Sequence, residues 1–304
     1  MAPNTPTNTY NGAYLSLKTV LLSNKSKLIM PNDNYIHFED NLIYISECIL
    51  GPVEDSPDYR ALLEAVNSQL TDCCNCTETC LPETCICTKN SGGGNYVYNI
   101  ENTKLFLRKS KIDCDIMNPI FECNDLCSCS KYCGNRVVQY GPNEDLYVKS
   151  CEKIEKGLGL FTNTLVNAGT FICEYAGEWI TKQEVIKRHH KNHVNGKMNY
   201  IFCLNEHSNR GNIQTFVDPT VFGNIGRYAN HSCSPNSVIV PVRVNTPVPK
   251  LAIFSCRDIM PHTEITFQYG LYKSKDVIKL DSKDRKKCFC NAPNCTGSMP
   301  YEMY

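Results

Sequence analysis

The chain has 304 residues, with 31 Lys or Arg against 31 Asp or Glu, so its formal net charge is zero. A neutral chain lacks the basic excess of proteins that coat nucleic acid, and any DNA contact would have to be local. No stretch reaches the roughly 18 to 20 apolar residues of a bilayer span, and the N-terminus has no basic head before an apolar core. We therefore expect neither a membrane protein nor a secreted one.

The unusual feature of the composition is its 20 cysteines. Without an export signal we expect a reducing compartment, where thiols persist as metal ligands or catalytic groups. A disulfide-rich extracellular protein is the alternative, and the missing signal disfavours it. Eleven thiols lie in residues 73–133 and three in residues 288–295, so they form clusters.

Residues 1–71 form an acidic N-terminal flank, with four basic residues against nine acidic ones up to Asp72. The Asn-, Thr- and Pro-rich opening predicts partial disorder. Apolar periodicity in DYRALLEAVNSQL indicates one short helix, and IHFEDNLIYISECIL is typical of strands that pack on later elements. We expect this flank to carry no chemistry.

The next segment, residues 72–141, is dense in cysteine and has almost no aliphatic periodicity, so it cannot build an apolar core alone. Its nine regularly spaced thiols cannot pair completely as disulfides, because their number is odd. Six terminal and three bridging thiolates would fill the twelve ligand positions of three tetrahedral zinc ions, and metal binding would supply on the order of 10 kcal/mol of folding free energy per site. The predicted ligands are Cys74, Cys76, Cys80, Cys85, Cys87, Cys123, Cys127, Cys129 and Cys133. Scattered reduced cysteines are the alternative that this spacing disfavours.

From residue 142 to 272 the pattern changes to short β-type runs separated by Gly, Pro and Asn. One helix-like stretch, TKQEVIKRHHKNH, interrupts them, with Thr181 placed as N-cap and Glu184 three residues later. Many short strands with little helix predict a compact, mostly β domain.

A basic linker, residues 273–283, connects this domain to a terminal cluster in residues 284–300. The cluster offers Cys288, Cys290 and Cys295, which is one ligand short of a closed zinc site. Cys233, in the sequence NHSCSPN, is the best candidate for the fourth ligand. A zinc ion there would hold the C-terminal tail against the β domain.

These motifs together resemble a known family. The nine-thiol pattern is followed by GLG at 157–159, EYAGE at 174–178, NYIF at 199–202, GNIGRYANHSCSPN at 223–236, EITFQYG at 264–270 and CFCNAPNC at 288–295. Their order resembles the pre-SET, SET and post-SET modules of histone lysine methyltransferases of the suppressor-of-variegation class. Residues 215–259 are more narrowly similar to the methyltransferase half of SET–mariner transposase fusions. The resemblance implies a mostly β SET domain of short strands in small sheets with a pseudoknot, flanked by a tri-zinc pre-SET module and a zinc-bound post-SET tail.

The resemblance also implies an activity: methyl transfer from S-adenosyl-L-methionine to a lysine of a histone tail. Lysine 9 of histone H3 is the first expectation and lysine 36 the next. The expected partners are a histone H3 tail peptide and chromatin, in the nucleus, with no membrane. No segment remains for a transposase, so we expect no direct sequence-specific DNA binding. The substrate peptide is expected to add a strand beside the insert at residues 180–199.

The same resemblance assigns roles to particular residues. Tyr269 is the catalytic tyrosine, Tyr200 helps to form the channel for cofactor and lysine, and Phe267 stands at the product-specificity position, where phenylalanine favours di- or trimethylation. Tyrosine suits such a channel because its ring walls an aliphatic stem while its hydroxyl orients an amine. The implied cofactor-binding residues are Lys156, Gly157, Leu158, Tyr200, Arg227, Asn230, His231 and Phe289.

Two positions depart from the family pattern. Leu158 stands where an aromatic residue is common, and Gln268 replaces the usual Asp before the catalytic tyrosine. The second change removes a negative charge and implies reduced activity. A catalytically weak SET protein that serves as a zinc-stabilised chromatin interaction module is therefore the alternative function. Four retained residues argue against it: Tyr200, Asn230, His231 and Tyr269.

Overall fold

The structure is a computed structural model that describes residues 42–77, 79–101, 103–112, 119–143, 145–208, 211–270 and 286–300. The predicted disordered opening of the flank, within residues 1–41, and the predicted basic linker, residues 273–283, lie outside these residues. The prediction of a mostly β chain is confirmed, since short strands in small sheets dominate. In the part of the chain that the structure describes, no helix has the length and apolar character needed to cross a bilayer.

The helices are few and short. They are α1 Pro57–Asn67, α2 Ile86–Asn90, α3 Lys109–Ile112 and α4 Lys182–Val194, with 3-10 turns at Val138–Tyr140, Ile154–Lys156 and Ile225–Tyr228. The strands are β1 Ile43–Tyr44, β2 Ile49–Leu50, β3 Tyr96–Tyr98, β4 Leu105–Leu107, β5 Ile120–Phe121, β6 Leu146–Ser150, β7 Leu158–Thr162, β8 Phe171–Glu174, β9 Glu178–Ile180, β10 Phe202–Ser208, β11 Gly211–Asp218, β12 Phe222–Gly223, β13 Asn230–His231, β14 Ser237–Arg243, β15 Lys250–Ser255 and β16 Thr266–Phe267.

Two four-stranded sheets carry most of the β domain. One has the strand order β10-β11-β9-β2 and the other the order β5-β14-β15-β8. Apolar side chains between the elements fill a core in which Leu160, Ile172 and Ile265 are fully buried. Phe267, at the predicted product-specificity position, belongs to the same core. The predicted product-specificity position is therefore part of the hydrophobic core.

Strands β13 and β16 pair in parallel, Asn230 with Thr266 and His231 with Phe267. The side chain of Asn236 fixes this pairing, because its Oδ1 accepts a hydrogen bond of 2.9 Å from the Thr266 amide. The pairing joins the motif GNIGRYANHSCSPN to the motif EITFQYG. It places two motifs that are distant in sequence side by side.

The first described strands pair with strands that come much later in the chain. β1 pairs in parallel with β12, and β2 pairs in parallel with β9. Polar contacts add to this anchoring, since the Thr181 hydroxyl donates to the carboxylate of Glu54 and Lys250 forms ion pairs with Glu47 and Glu174 at 3.0 Å each. The predicted strands and the predicted helix, α1, are thus present, and the strands complete the β domain.

The predicted helix of the insert is α4, with Thr181 as its N-cap. The Thr181 Oγ1 accepts a hydrogen bond of 3.1 Å from the Glu184 amide, as the sequence predicted. Arg188 attaches the helix to the sheet beneath it through ion pairs with Glu178 at 2.6 Å and Asp218 at 2.7 Å, in addition to its helix neighbour Glu184. All three carboxylates are less than a tenth exposed, so this cluster is a buried charge network.

Candidate active site and metal centres

The cysteines of the pre-SET region converge on one compact cluster. Three overlapping groups of four thiols have all Sγ atoms within 4.8 Å of one another: Cys74, Cys80, Cys85 and Cys123; Cys74, Cys87, Cys123 and Cys127; and Cys80, Cys123, Cys129 and Cys133. Every cysteine in the described residues is a free thiol. The cluster therefore brings together eight of the nine predicted ligands, with Cys74, Cys80 and Cys123 shared between groups.

The sulfur–sulfur distances distinguish a metal cluster from disulfides. Four thiolates at about 2.3 Å from a tetrahedral zinc ion lie about 3.8 Å from each other, whereas a disulfide holds its sulfurs about 2.05 Å apart. The Sγ atoms of Cys74 and Cys80 are 3.6 Å apart, and those of Cys74 and Cys123 are 4.0 Å apart. The cluster is suited to zinc in both the number and the spacing of its sulfurs.

Two thiols of the cluster favour the thiolate form, whereas burial raises the pKa of others, such as Cys80 and Cys127. The hydrogen bond with Cys123 lowers the pKa of Cys87 to about 6 and that of Cys133 to about 5. Metal ions bind the thiolate form. Cys76 belongs to none of the three groups, although it packs against the cluster and interacts with Cys74 and Cys80. Its assignment as the ninth ligand stays a prediction.

A second group of thiols joins the C-terminal tail to the β domain. The Sγ atoms of Cys233, Cys288, Cys290 and Cys295 lie within 4.8 Å of one another, which is the four-thiol set predicted for the post-SET zinc site. The tail is held by other contacts too, since the Cys233 amide donates to the Cys290 sulfur and the Lys153 ammonium donates to Asn291 Oδ1 at 2.5 Å. The group is suited to one further zinc ion.

His231 connects this thiol group to the predicted catalytic tyrosine. Its Nδ1 accepts a hydrogen bond of 3.3 Å from the Tyr269 amide, and its Nε2 lies 3.6 Å from Cys233 Sγ. A neutral imidazole that accepts at Nδ1 carries its proton at Nε2, so it donates toward the sulfur. The imidazole ring thus links a candidate zinc ligand to the backbone of Tyr269.

Tyr269 is held in a buried position. Its hydroxyl donates a hydrogen bond of 3.0 Å to the Ala229 carbonyl, and its ring centroid lies 4.9 Å from that of Phe267 and 5.5 Å from that of His231. Burial raises the pKa of Tyr269 well above its usual value. The hydroxyl therefore stays protonated at neutral pH and acts as an oriented dipole and donor, not as a base.

Sequence reasoning missed one residue of this aromatic group, Tyr175. Its ring lies 5.8 Å from that of Phe267 and 6.0 Å from that of Phe202, and its hydroxyl donates a hydrogen bond of 2.6 Å to the Tyr200 carbonyl. The signal was present, since Tyr175 lies in the quoted motif EYAGE. It was overlooked because a tyrosine after a buried strand is by default an ordinary core residue.

The turn that carries the predicted cofactor residues requires glycine at two places. Gly157 has φ +69°, a left-handed conformation that side chains disfavour. At Gly159 a Cβ atom would lie 2.7 Å from the Cys151 sulfur and 3.0 Å from Glu264 Oε1. Glycine is therefore required at position 159 because the space is too small for a side chain, and not because of the backbone conformation.

The predicted cofactor residues Lys156, Leu158 and Asn230 meet at this turn. Asn230 Nδ2 donates to the Leu158 carbonyl at 3.0 Å and to Glu264 Oε1 at 2.9 Å, and Lys156 forms an ion pair with Glu264 Oε2. Leu158 takes part through its backbone carbonyl. Glu264 is a second residue that sequence reasoning missed.

A cavity of about 550 Å³ lies between residues 152–155, which precede this turn, and the C-terminal tail, and it is large enough for a ligand the size of a nucleoside. From the tail it is lined by Lys287, Cys288, Phe289 and Asn291, so Phe289 is the predicted cofactor residue that lines it. Phe289 is thus placed as a wall of the cavity. Arg227 lies elsewhere, because it is buried with its guanidinium 4.4 Å from the centroid of the Tyr200 ring.

Comparison with known proteins agrees with this geometry. The SET domain family profile matches residues 157–270, and the Pre-SET motif profile matches residues 23–136. Histone-lysine N-methyltransferase SETMAR of Rattus norvegicus is 42% identical over 237 residues, which cover 75% of this chain and 72% of the rat protein. The match of the Pre-SET profile begins within the segment that the composition alone presents as a flank.

Solved structures show the same fold. The crystal structure of the methyltransferase domain of human SETMAR has a TM-score of 0.68 and 37% sequence identity, and the match covers 86% of this chain and 90% of that domain. KRYPTONITE, solved in complex with mCHH DNA, an H3(1-15) peptide and SAH, has a TM-score of 0.62 and 26% identity over 86% of this chain and 48% of its own. The motifs, the thiol clusters and these matches agree, and the chain belongs to the SET-domain histone-lysine N-methyltransferases that carry a pre-SET motif.

Proposed function

We propose that the protein methylates a lysine of the histone H3 tail, with lysine 9 as the preferred target and lysine 36 as the next. The observation that carries this proposal is the buried aromatic group around Tyr269, which combines an apolar wall with an oriented hydroxyl. The peptide in the KRYPTONITE complex spans H3 residues 1 to 15, which include lysine 9 and exclude lysine 36. The likeness to SETMAR supports lysine 36 as the second candidate.

The chemistry requires an uncharged lysine amine aligned with a methyl donor. When bound, S-adenosyl-L-methionine supplies the methyl group on a positively charged sulfur, which disfavours a second positive charge beside it. Lysine has a reference pKa of about 10.4, so the amine must lose its proton before the new N–C bond forms. Tyr269 and Tyr200 contribute by excluding water and aligning the amine, because positioning provides much of the acceleration in such a displacement.

The residues at the turn fit the predicted cofactor. Lys156 and Asn230 offer a charged donor and an amide, Gly157 and Leu158 present backbone groups, and Phe289 offers a flat apolar wall at the cavity. An aromatic face and a few convergent polar groups are typical of sites for a nucleoside-containing ligand. We assign the amino-acid end of the cofactor to the turn and the nucleoside end to the cavity, and His231 and Arg227 to the support of the surrounding walls.

Phe267 supports the transfer of more than one methyl group. Phe267 is 1% exposed, and its ring packs against the rings of Tyr175, Phe202 and Tyr269. An apolar wall leaves a methylated amine free to rotate, whereas a hydroxyl at this position would occupy space and hold the amine by a hydrogen bond. We therefore propose di- or trimethylation as the product.

The peptide is proposed to bind as an added strand. β10 is the end strand of its sheet and follows the insert at residues 180–199, where α4 forms one side. An end strand in the described part of the chain offers backbone N–H and C=O groups to an extended peptide. A chromosome-associated, nuclear location follows from this substrate.

The test is a methylation assay with purified protein, radiolabelled S-adenosyl-L-methionine and H3 peptides spanning residues 1 to 20 and 27 to 45. We expect label on the first peptide, lost when lysine 9 is replaced by arginine, and mass spectrometry should find di- or trimethylated product. Label on the second peptide alone would assign lysine 36 instead. Cofactor binding without turnover on peptides, nucleosomes or cell extract would favour the chromatin interaction module.

A further inference from the structure

A single carboxylate, that of Glu264, joins the residues predicted to bind the cofactor. Oε2 forms the ion pair with Lys156, and Oε1 accepts hydrogen bonds from Asn230 Nδ2 at 2.9 Å and from the Cys151 thiol at 3.3 Å. The same Asn230 nitrogen donates to the Leu158 carbonyl at 3.0 Å. Glu264 thus contacts the side chains of two predicted cofactor residues and lies one hydrogen bond from a third.

The backbone of Glu264 is firmly placed, so the position of its carboxylate is built into the fold. Its carbonyl accepts a hydrogen bond of 2.8 Å from Asn236 Nδ2, and the residue forms an isolated antiparallel bridge with Phe161. Gly159 leaves the space that the carboxylate occupies, since a Cβ there would lie 3.0 Å from Oε1. A side chain larger than glycine at position 159 would therefore displace it.

The ion pair is accessible to a ligand. The side chain of Lys156 is 13% exposed and that of Glu264 is 19% exposed, so both reach the surface of the turn without being free in solvent. If a negative ligand group replaces Glu264 as the partner of Lys156, and a positive group replaces Lys156 as the partner of Glu264, each side chain keeps one charged partner. A ligand that brings one positive and one negative group can therefore enter without leaving either side chain unpaired.

Such a pair of opposite charges matches an amino-acid zwitterion. The methionine end of the cofactor carries an ammonium group and a carboxylate on the same carbon atom. Lys156 is complementary to the carboxylate, and a neutral carboxamide such as that of Asn230 supplies no charge for the ammonium. Among the groups that contact Asn230 Nδ2 in the described residues, Glu264 is the carboxylate.

We propose that Glu264 is a cofactor-binding residue whose carboxylate binds the ammonium group of the amino-acid end, while Lys156 turns from Glu264 to the carboxylate of that end. This inference rests on the proposed function, because it assumes that the cofactor binds at the turn. It adds a residue to the site and gives the ion pair between Lys156 and Glu264 a role. The pair keeps two charges paired until the zwitterion replaces each partner.

The experiment measures equilibrium binding by titration calorimetry with three probes. S-adenosylhomocysteine carries both charged groups, its desamino analogue lacks the ammonium, and 5′-methylthioadenosine lacks the whole amino-acid end. Glu264→Gln should weaken binding of S-adenosylhomocysteine about 10-fold or more, equivalent to about 1.4 kcal/mol. It should change binding of the other two probes less than about 2-fold, since neither presents an ammonium to position 264.

Controls separate this inference from folding and from the proposed function. Glu64→Gln, an equivalent change at an exposed position on α1, should leave all three affinities unchanged. Zinc content and the unfolding midpoint verify that Glu264→Gln is folded. If that variant does not fold, Glu264→Asp, which keeps the charge on a shorter side chain, is measured in its place. Equal losses for all three probes, or no loss for S-adenosylhomocysteine, would overturn the role of Glu264. Absence of binding by the wild-type protein would instead overturn the proposed function.

Discussion

The hydroxyl of Tyr269 donates a hydrogen bond of 3.0 Å to the carbonyl of Ala229, the residue that immediately precedes the Asn230–His231 strand. A buried hydroxyl is costly without a partner, so this bond fixes the direction of the ring and of its O–H dipole. Because β13 pairs with β16, the same contact holds together the two segments that form the site. The orientation of the Tyr269 ring and the pairing of these two distant motifs therefore depend on the same hydrogen bond.

Replacing Tyr269 with phenylalanine removes the hydroxyl and keeps the ring. We expect methyl transfer to fall on the order of 100-fold or more, because an oriented group at a reacting centre contributes about that much. Zinc content and the unfolding midpoint should change little. Tyr132→Phe, at a tyrosine that is 74% exposed, is the matched control and should retain full activity. Full activity of Tyr269→Phe would show that the hydroxyl takes no part in methyl transfer.

Replacing Phe267 with tyrosine adds a hydroxyl to a ring that is 1% exposed. We expect the product to shift toward monomethyllysine, because the new hydroxyl takes up space and can hold the amine by a hydrogen bond. Mass spectrometry of a time course on the H3 peptide measures the ratio of the three methylated forms. An unchanged ratio at equal turnover would show that position 267 does not control the product.

Metal analysis tests the two thiol clusters. Four groups of thiols are suited to zinc, three in the pre-SET cluster and one at the tail, so we expect about four zinc ions per chain. Titration of thiols in denaturant with a chelator and no reductant should find them all free. Protein without bound metal, or with most thiols oxidised, would contradict the assignment.

Removing one ligand of the tail cluster, by Cys295→Ser, separates the tail from the pre-SET module. We expect the loss of one zinc ion, weaker binding of S-adenosylhomocysteine and lower activity, because Phe289 would no longer be held at the cavity. The pre-SET zinc should remain. Cys256→Ser, outside the four groups, is the control. Unchanged affinity in Cys295→Ser would mean that the tail is not part of the cofactor site.

Arg188→Met tests the charge network beneath α4. The substitution leaves Glu178 and Asp218 buried without their cation, while Glu184 keeps its ion pair with Lys187, and we expect a cost of about 3 to 5 kcal/mol of unfolding free energy at neutral pH. Burial raises the pKa of Glu178 and Arg188 opposes that rise, so losing Arg188 raises this pKa further. The variant then takes up a proton at Glu178 on folding, and its deficit shrinks as pH falls. Urea unfolding at pH values of about 7.5 and about 5 measures this. If the loss of unfolding free energy in Arg188→Met is the same at both pH values, the unpaired carboxylates are not its cause.

The sequence predicted most of the metal chemistry because cysteine spacing carries that information directly. It also predicted α4 and its N-cap, since Thr181 and Glu184 make a local contact that periodicity reveals. The roles of Tyr269 and Asn230 remain proposals that rest on motif position. In each of these cases the deciding signal is a local motif, even where the partners, such as Cys233 and Cys288, are distant in sequence.

Other features could not be found in this way, because they depend on contacts between distant segments. Glu264 looks like a surface residue in a turn until Asn230 and Lys156 are brought to its two oxygens. The requirement for Gly159 is likewise explained by the sulfur of Cys151, not by its own neighbours. The partners of β1 and β2 were also unpredictable, since two-residue parallel pairings have no sequence signature.

Those parallel pairings have a consequence for how the chain is made. Ile43 pairs with Phe222 and Ile49 with Glu178, so the first described strands have no partners until most of the chain has left the ribosome. Contacts of such high sequence separation form slowly, and apolar strand edges stay exposed to other chains in the meantime. We therefore expect that chaperone supply and synthesis rate will govern the yield of soluble enzyme more strongly than the final stability does.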